Sequence, residues 1–142
     1  MLIQILIASI MIVITVVIEA VVIALATVAL NRNRQRLARV KQLPRTVVTL
    51  SLLTLWLMAG IGIALVSWSL LLLWLGEFDS LHAAIYFSSV SATTLGYGDS
   101  LLSERWQLLS GFIAANGLVL FSLNTAFLFE VLRRLNQTTE QT

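Results

Sequence analysis

Three long apolar stretches dominate the chain, roughly Leu2 to Leu30, Thr46 to Leu75 and Trp106 to Leu132, with a short basic break after the first and a thirty-residue segment, Gly76 to Arg105, after the second. At 1.5 Å of rise per residue each reaches about 40 Å as a helix. The hydrocarbon core of a bilayer is roughly 30 Å, so each stretch predicts a membrane-crossing helix that tilts or emerges from the bilayer. The lone Pro44 falls in the polar break where a helix must stop. The first stretch is expected to be retained rather than cleaved as a signal peptide: it has no basic leader, its apolar run is about twice too long, and arginines follow it directly. Between the second and third stretches, Asp79 or Ser80 reads as a helix N-cap, and Leu81 to Ala92 is apolar but too short to span, so it predicts a re-entrant helix.

The expected fold class is an all-α membrane protein of three transmembrane helices plus the re-entrant one. Its expected parts are an N-terminal transmembrane helix (1–30), a basic loop (31–45), a unit over 46–132 and a short tail (133–142). Within the unit, an outer helix covers 46–75, a short helix 79–92 and an inner helix 106–132.

Composition agrees with this pattern and narrows the chemistry. Of 142 residues, 58% are hydrophobic and 11% charged, against about a quarter charged in soluble domains. With no cysteine, one histidine and seven scattered acids, a thiolate metal site, a disulfide scaffold and acid–base catalysis are all poorly supplied, so no enzyme is expected. Six of the nine basic residues lie in one short segment (Arg32, Arg34, Arg36, Arg39, Lys41 and Arg45) between apolar walls. That is a juxtamembrane loop rather than a nucleic-acid stripe, and it is expected to sit on the cytoplasmic side against anionic lipid. Arg133 and Arg134 should be cytoplasmic too, which places the N-terminus outside and the C-terminus inside. Trp74 and Trp106 then both fall at the outer water–lipid boundary. The arginines after the first helix are mostly two apart among Asn and Gln, which does not make the one-faced stripe of a voltage sensor.

The short helix is followed by Thr93-Thr94-Leu95-Gly96-Tyr97-Gly98-Asp99. Two glycines around a tyrosine suit neither helix nor strand, and non-helical backbone at membrane depth is tolerated only where protein covers it or it lines a water-filled path. Thr94-Leu95-Gly96-Tyr97-Gly98-Asp99 resembles the selectivity filter of the potassium channel pore-domain family, and Tyr86 to Thr93 resembles that family's pore helix. The resemblance covers residues 46 to 132, with one extra N-terminal helix, as in small channels of bacterial type.

It implies a K⁺-selective channel assembled as a homotetramer, since each chain brings one loop and four are needed to close the ring. Carbonyls of Thr94, Leu95, Gly96 and Tyr97 would bind K⁺, with Gly98 completing the filter and no organic cofactor. Gly96 and Gly98 would supply the left-handed backbone that turns successive carbonyls the same way. Leu95 would point into packing and Tyr97 outward as a strut. The expected location is a cell membrane, a bacterial inner one.

Around the filter, Asp99, Tyr86 and Thr93 are expected supports, with the Tyr86 hydroxyl as partner of Asp99. In the inner helix, Gly117 stands where relatives keep a hinge glycine and equally suits close packing. Asn124, on the same face at i, i+7, and Thr125 are cavity or gate candidates, with an interhelical hydrogen bond as the other reading of Asn124. Gly60 with Ala64, and Gly111 with Ala115, are small pairs suited to close helix approach. Glu19 is the one charge inside the first helix and is expected to face protein, either as a protonated carboxyl bonded to a helical hydroxyl or carbonyl, or as a pH-sensitive link to the pore. His82 is expected at the outer interface, where Glu77, Asp79 and Glu104 would give a mildly negative field. Two other functions remain open: a non-conducting or regulatory subunit that co-assembles with other channels, and a weakly selective cation channel.

Overall fold

The computed structural model of the protein describes residues 1–32 and 42–137, and among these every regular element is a helix. They are α1 (Leu2–Arg32), α2 (Gln42–Trp74), α3 (Leu81–Ala92) and α4 (Leu108–Gln137). The helices α1, α2 and α4 are long and apolar enough to cross a membrane, as the three apolar stretches predict. Gln4 near the start of α1 donates to the carbonyl of Arg105 just before α4, and Ala26 near its end packs with Val131, so α1 and α4 run the same way. Leu53 joins Ala26, whereas Leu72 joins Ala8, so α2 runs opposite to both.

Several details differ from the sequence reading. Gln42 already belongs to α2, which puts Pro44 inside the first helical turn rather than in the loop. The first four N–H groups of a helix have no intrahelical acceptor, so proline loses nothing there. Helix α4 starts at Leu108 and runs to Gln137, past Leu132, because Glu130 pairs with Arg134 at 2.7 Å and Arg133 at 3.9 Å and keeps the polar segment helical. Trp106 is buried with Trp68, Leu72 and Phe87 in a core cluster instead of lying at the lipid boundary, which Trp74, 80% exposed, is free to do. Arg34, Arg36, Arg39, Lys41 and the end of the tail lie outside the described residues. Arg45 is buried, and its Nη2 donates to the Leu135 carbonyl at 3.0 Å, satisfying an orphan acceptor in the last turn of α4.

Helix α1 buries Ala8, Thr15, Glu19, Val22 and Ala26, a single stripe of mostly small or polar residues, while Leu6, Ile10, Val13, Val17, Val21 and Leu25 are exposed. This inversion is what a lipid-facing helix requires. Lipid tails are as apolar as leucine, so burial gives no transfer gain, and close packing with polar bonds joins the helices instead. Such bonds hold α1, among them the Gln4 contact, Trp56 Nε1 donating to the Val22 carbonyl at 3.0 Å, and Asn116 Nδ2 donating to Thr15 Oγ1 at 2.8 Å. Thr15→Val leaves Asn116 buried without that acceptor and is expected to lower stability by about 0.6–1.7 kcal/mol, read from unfolding in detergent or bicelles.

Candidate functional site

The site is the turn between α3 and α4, and the two helix ends that frame it are built alike. Helix α2 closes on Gly76 at φ 75°, with Glu77 N–H donating to the Leu72 carbonyl at 3.1 Å and Gly76 N–H to Leu73 at 2.9 Å. This pair of bonds, with a left-handed residue between, is a Schellman cap, and glycine is its usual centre. Helix α3 closes the same way: Leu95 N–H donates to the Val90 carbonyl at 3.0 Å and Thr94 N–H to Ser91 at 2.9 Å. Here the left-handed residue is Thr94, at φ 58°. A β-branched residue in that region is strained and is held by its surroundings.

The next left-handed residues are Gly96 at φ 53° and Gly98 at φ 76°, while Leu95 and Tyr97 between them are not left-handed. Residues 94 to 98 thus alternate in backbone hand. The sequence marks Gly96 and Gly98 for this role but gives no sign that Thr94 shares it. The whole run Thr93 to Asp99 is exposed on the single chain, Leu95 at 55% and Tyr97 at 68%.

The start of α3 is fixed by Ser80, whose side chain accepts from Ala83 N–H at 3.2 Å, which settles the choice between Asp79 and Ser80. Behind the turn, Ser88 of α3 is fully buried and shares a 3.1 Å hydrogen bond with Ser69 of α2, and Phe87 meets Phe78 with ring centroids 5.3 Å apart. Glu77 closes the loop from outside: its two carboxylate oxygens accept from Ser103 N–H at 2.7 Å and Ser103 Oγ at 2.8 Å. The Ser69–Ser88 pair and the Glu77–Ser103 latch have no distinctive sequence signal, because serines on apolar helices and in loops are common.

Tyr86 Oη donates to Asp99 Oδ2 at 2.8 Å, the pairing expected from the sequence. That bond, with the nearby Asp99 charge, pushes the Tyr86 phenol above its ordinary value. A raised phenol adds stability that is full below the unfolded value of about 10 and is lost as pH rises through the folded value, so the bond holds throughout the neutral range. With Tyr97→Phe, Tyr86 is the one remaining tyrosine of two. Its phenolate absorbance is expected to titrate above free tyrosine, and adding Asp99→Asn should bring it back down. Thr93 Oγ1 turns inward on its own helix and donates to the Ser89 carbonyl at 2.8 Å. His82 is exposed in the first turn of α3.

Gly117 of α4 is buried against the end of α3. A Cβ there would lie 2.8 Å from Ala92 C and 2.9 Å from its Cα, and closer still to its carbonyl oxygen. Close packing is therefore the role this structure gives Gly117. Asn124 is 4% exposed and faces Glu19 of α1, inside the subunit and away from the free face of α4. Thr125 is exposed, its hydroxyl donating to the Phe121 carbonyl at 2.9 Å. Leu118, Val119, Ser122, Leu123 and Ala126 line an open concavity on the free face of α4. Gly60 is buried under Glu19, whereas Gly111 and Ala115 are exposed.

The site therefore combines a capped short helix aimed at a turn, an alternating backbone run, and a framing helix with an unoccupied face. No curated protein and no solved structure matches the chain. The ion channel family matches residues 51–134, more than half of the chain, from within α2 through α3 to the last turn of α4. This chain belongs to the ion channel family.

Proposed function

We propose that this ion channel is selective for K⁺ and that four copies of the chain surround one pore. The observation that carries the reading is the alternation of backbone hand at Thr94, Gly96 and Gly98. Successive peptide units of an all-β or all-α run point their carbonyls in opposite directions or along the axis. A run that switches hand at every second residue turns them to one side instead, making a ladder of oxygens that replaces the hydration shell of a dehydrated cation. The ladder of one chain covers one side of an ion, and rotation about an axis supplies the rest.

Exposure supports the assembly. Seven consecutive non-helical residues, Thr93 to Asp99, are bare on the subunit. Facing lipid they would leave backbone groups unsatisfied, so neighbouring subunits and the ion path must cover them. The same holds for Tyr97 and Leu95, which find their packing on adjacent chains. Helix α4 brings its free face, with Ser122 and Thr125, to the inner cavity. The C-terminal ends of four α3 helices converge above it and favour a cation there. The N-terminus lies outside and the C-terminal end of α4 in the cytoplasm.

Purified protein in liposomes should appear as a tetramer by native mass spectrometry and pass K⁺ in a flux assay that Ba²⁺ blocks. A folded monomer or dimer, or a flux indifferent to Ba²⁺, would contradict the reading.

A further inference from the structure

Glu19 and Asn124 meet across the contact between α1 and α4. Glu19 is 0% exposed and Asn124 4%. The two side chains face each other, yet neither carboxyl oxygen and neither amide atom closes a hydrogen bond of ordinary geometry. From the third side, α2 presents Gly60, where a Cβ would stand 2.7 Å from Glu19 Oε2, so a glycine is what lets the carboxyl sit between the helices. Nearer the N-terminal ends of α1 and α4, Thr15 and Asn116 are already bonded to each other.

Among the described residues no charge balances Glu19. Along α1 the next charged residue is Arg32, and α2 carries none between Arg45 and its end. On α4 the nearest is Glu130, six residues inward of Asn124 and engaged by Arg133 and Arg134. No histidine, tyrosine or cysteine lies on these three helices within the described residues. A bare carboxylate at membrane depth is costly. A carboxylic acid is different chemistry: its O–H suits Asn124 Oδ1, and its other oxygen suits Asn124 Nδ2, a reciprocal pair.

We propose that protonated Glu19 is a positioning residue for α4, holding that helix to α1 through Asn124, and that loss of its proton releases the hold and shifts the open–closed balance of the channel. The inference rests on α4 being the pore-lining helix. The outer part of α4 is fixed separately, by Asn116 on Thr15 and Gly117 on Ala92. Release at Asn124 therefore frees the inward part of α4 while the turn between α3 and α4 stays seated. A carboxylate has no proton to donate to Asn124 Oδ1 and must reach water, which moves α1 and α4 apart.

Single-channel recording in planar bilayers across an acid-to-alkaline series at fixed K⁺ tests this, using wild type, Glu19→Gln, Asn124→Leu and the double variant. The wild-type open–closed ratio is expected to change on the order of tenfold across the series. Glu19→Gln, which keeps an amide for Asn124 and has no titrating proton, should hold the acid-side value at every pH. Asn124→Leu should lose that value, and the double variant should match Asn124→Leu. Asp79, His82, Asp99 and the other outer groups are common to all four proteins, so the difference isolates Glu19.

A Glu19→Gln channel with the wild-type pH response, or substitutions whose effects multiply independently, overturns the proposal. If Asn124→Leu does not assemble, the pH profile of Glu19→Gln alone decides. A silent wild type defeats the pore-lining reading along with this one, whereas a conducting wild type with an unchanged response in Glu19→Gln defeats this inference alone.

Discussion

Gly117→Ala is expected to destroy both the assembly and its conduction. The added methyl would lie within 2.9 Å of three backbone atoms of Ala92, and backbone cannot rotate aside as a side chain can. Overpacking of this kind costs about 1–3 kcal/mol or more in a close-packed interior. Relief requires α3 to shift away from α4, and α3 carries Thr94 as its capping residue, so the shift is passed directly to the alternating run. Gly62→Ala is the matched control. It too lies within a membrane helix, but its Cβ meets nothing within 4 Å, and alanine improves helix propensity by about 1 kcal/mol. Thermal stability in detergent and the yield of tetramer should fall sharply for Gly117→Ala and hold or rise for Gly62→Ala.

Gly96→Ala is expected to leave the fold and the tetramer largely intact while abolishing K⁺ flux. Nothing stands within 4 Å of its Cβ, so the cost is conformational alone, about 1–2 kcal/mol for a side chain at φ 53°. Spread over a helical scaffold, that is tolerable. On the proposed ion path it is not, because a backbone that relaxes out of the left-handed region turns its carbonyl off the ladder. The two glycine variants therefore separate: one loses structure and function together, the other function alone. A Gly96→Ala protein that conducts like wild type would show that the alternating run is not the ion path.

The fold was legible because its elements obey simple lengths. Three apolar stretches exceed a bilayer thickness, the short helix after Ser80 does not, and Gly96 and Gly98 announce a backbone that is neither helix nor strand. The Tyr86–Asp99 bond was legible through the resemblance, which offered the Tyr86 hydroxyl as the partner of Asp99.

What escaped the sequence depends on which face of a helix meets which neighbour. An apolar helix in lipid has no polar side to betray its orientation, so the stripe of Thr15 and Glu19 against Asn116 and Asn124 became visible only with α1 in place. Asn124 carried two readings, cavity lining and an interhelical bond: i, i+7 spacing puts it roughly in line with Gly117, and both turn inward to the subunit rather than to the free face of α4. Trp106 misled for a related reason, because an indole at a helix start suits the lipid boundary and a core cluster equally well. Thr94 was hidden because a Schellman cap at a threonine contradicts local preference. Such contradictions are expected where function sets the backbone.

The reversal potential of wild-type channels in a planar bilayer with K⁺ on one side and Na⁺ on the other tests the central claim most directly. The account predicts a potential set by K⁺, large in magnitude and of the sign that opposes K⁺ flow. A reversal potential at zero, with K⁺ and Na⁺ carrying current equally, would contradict it.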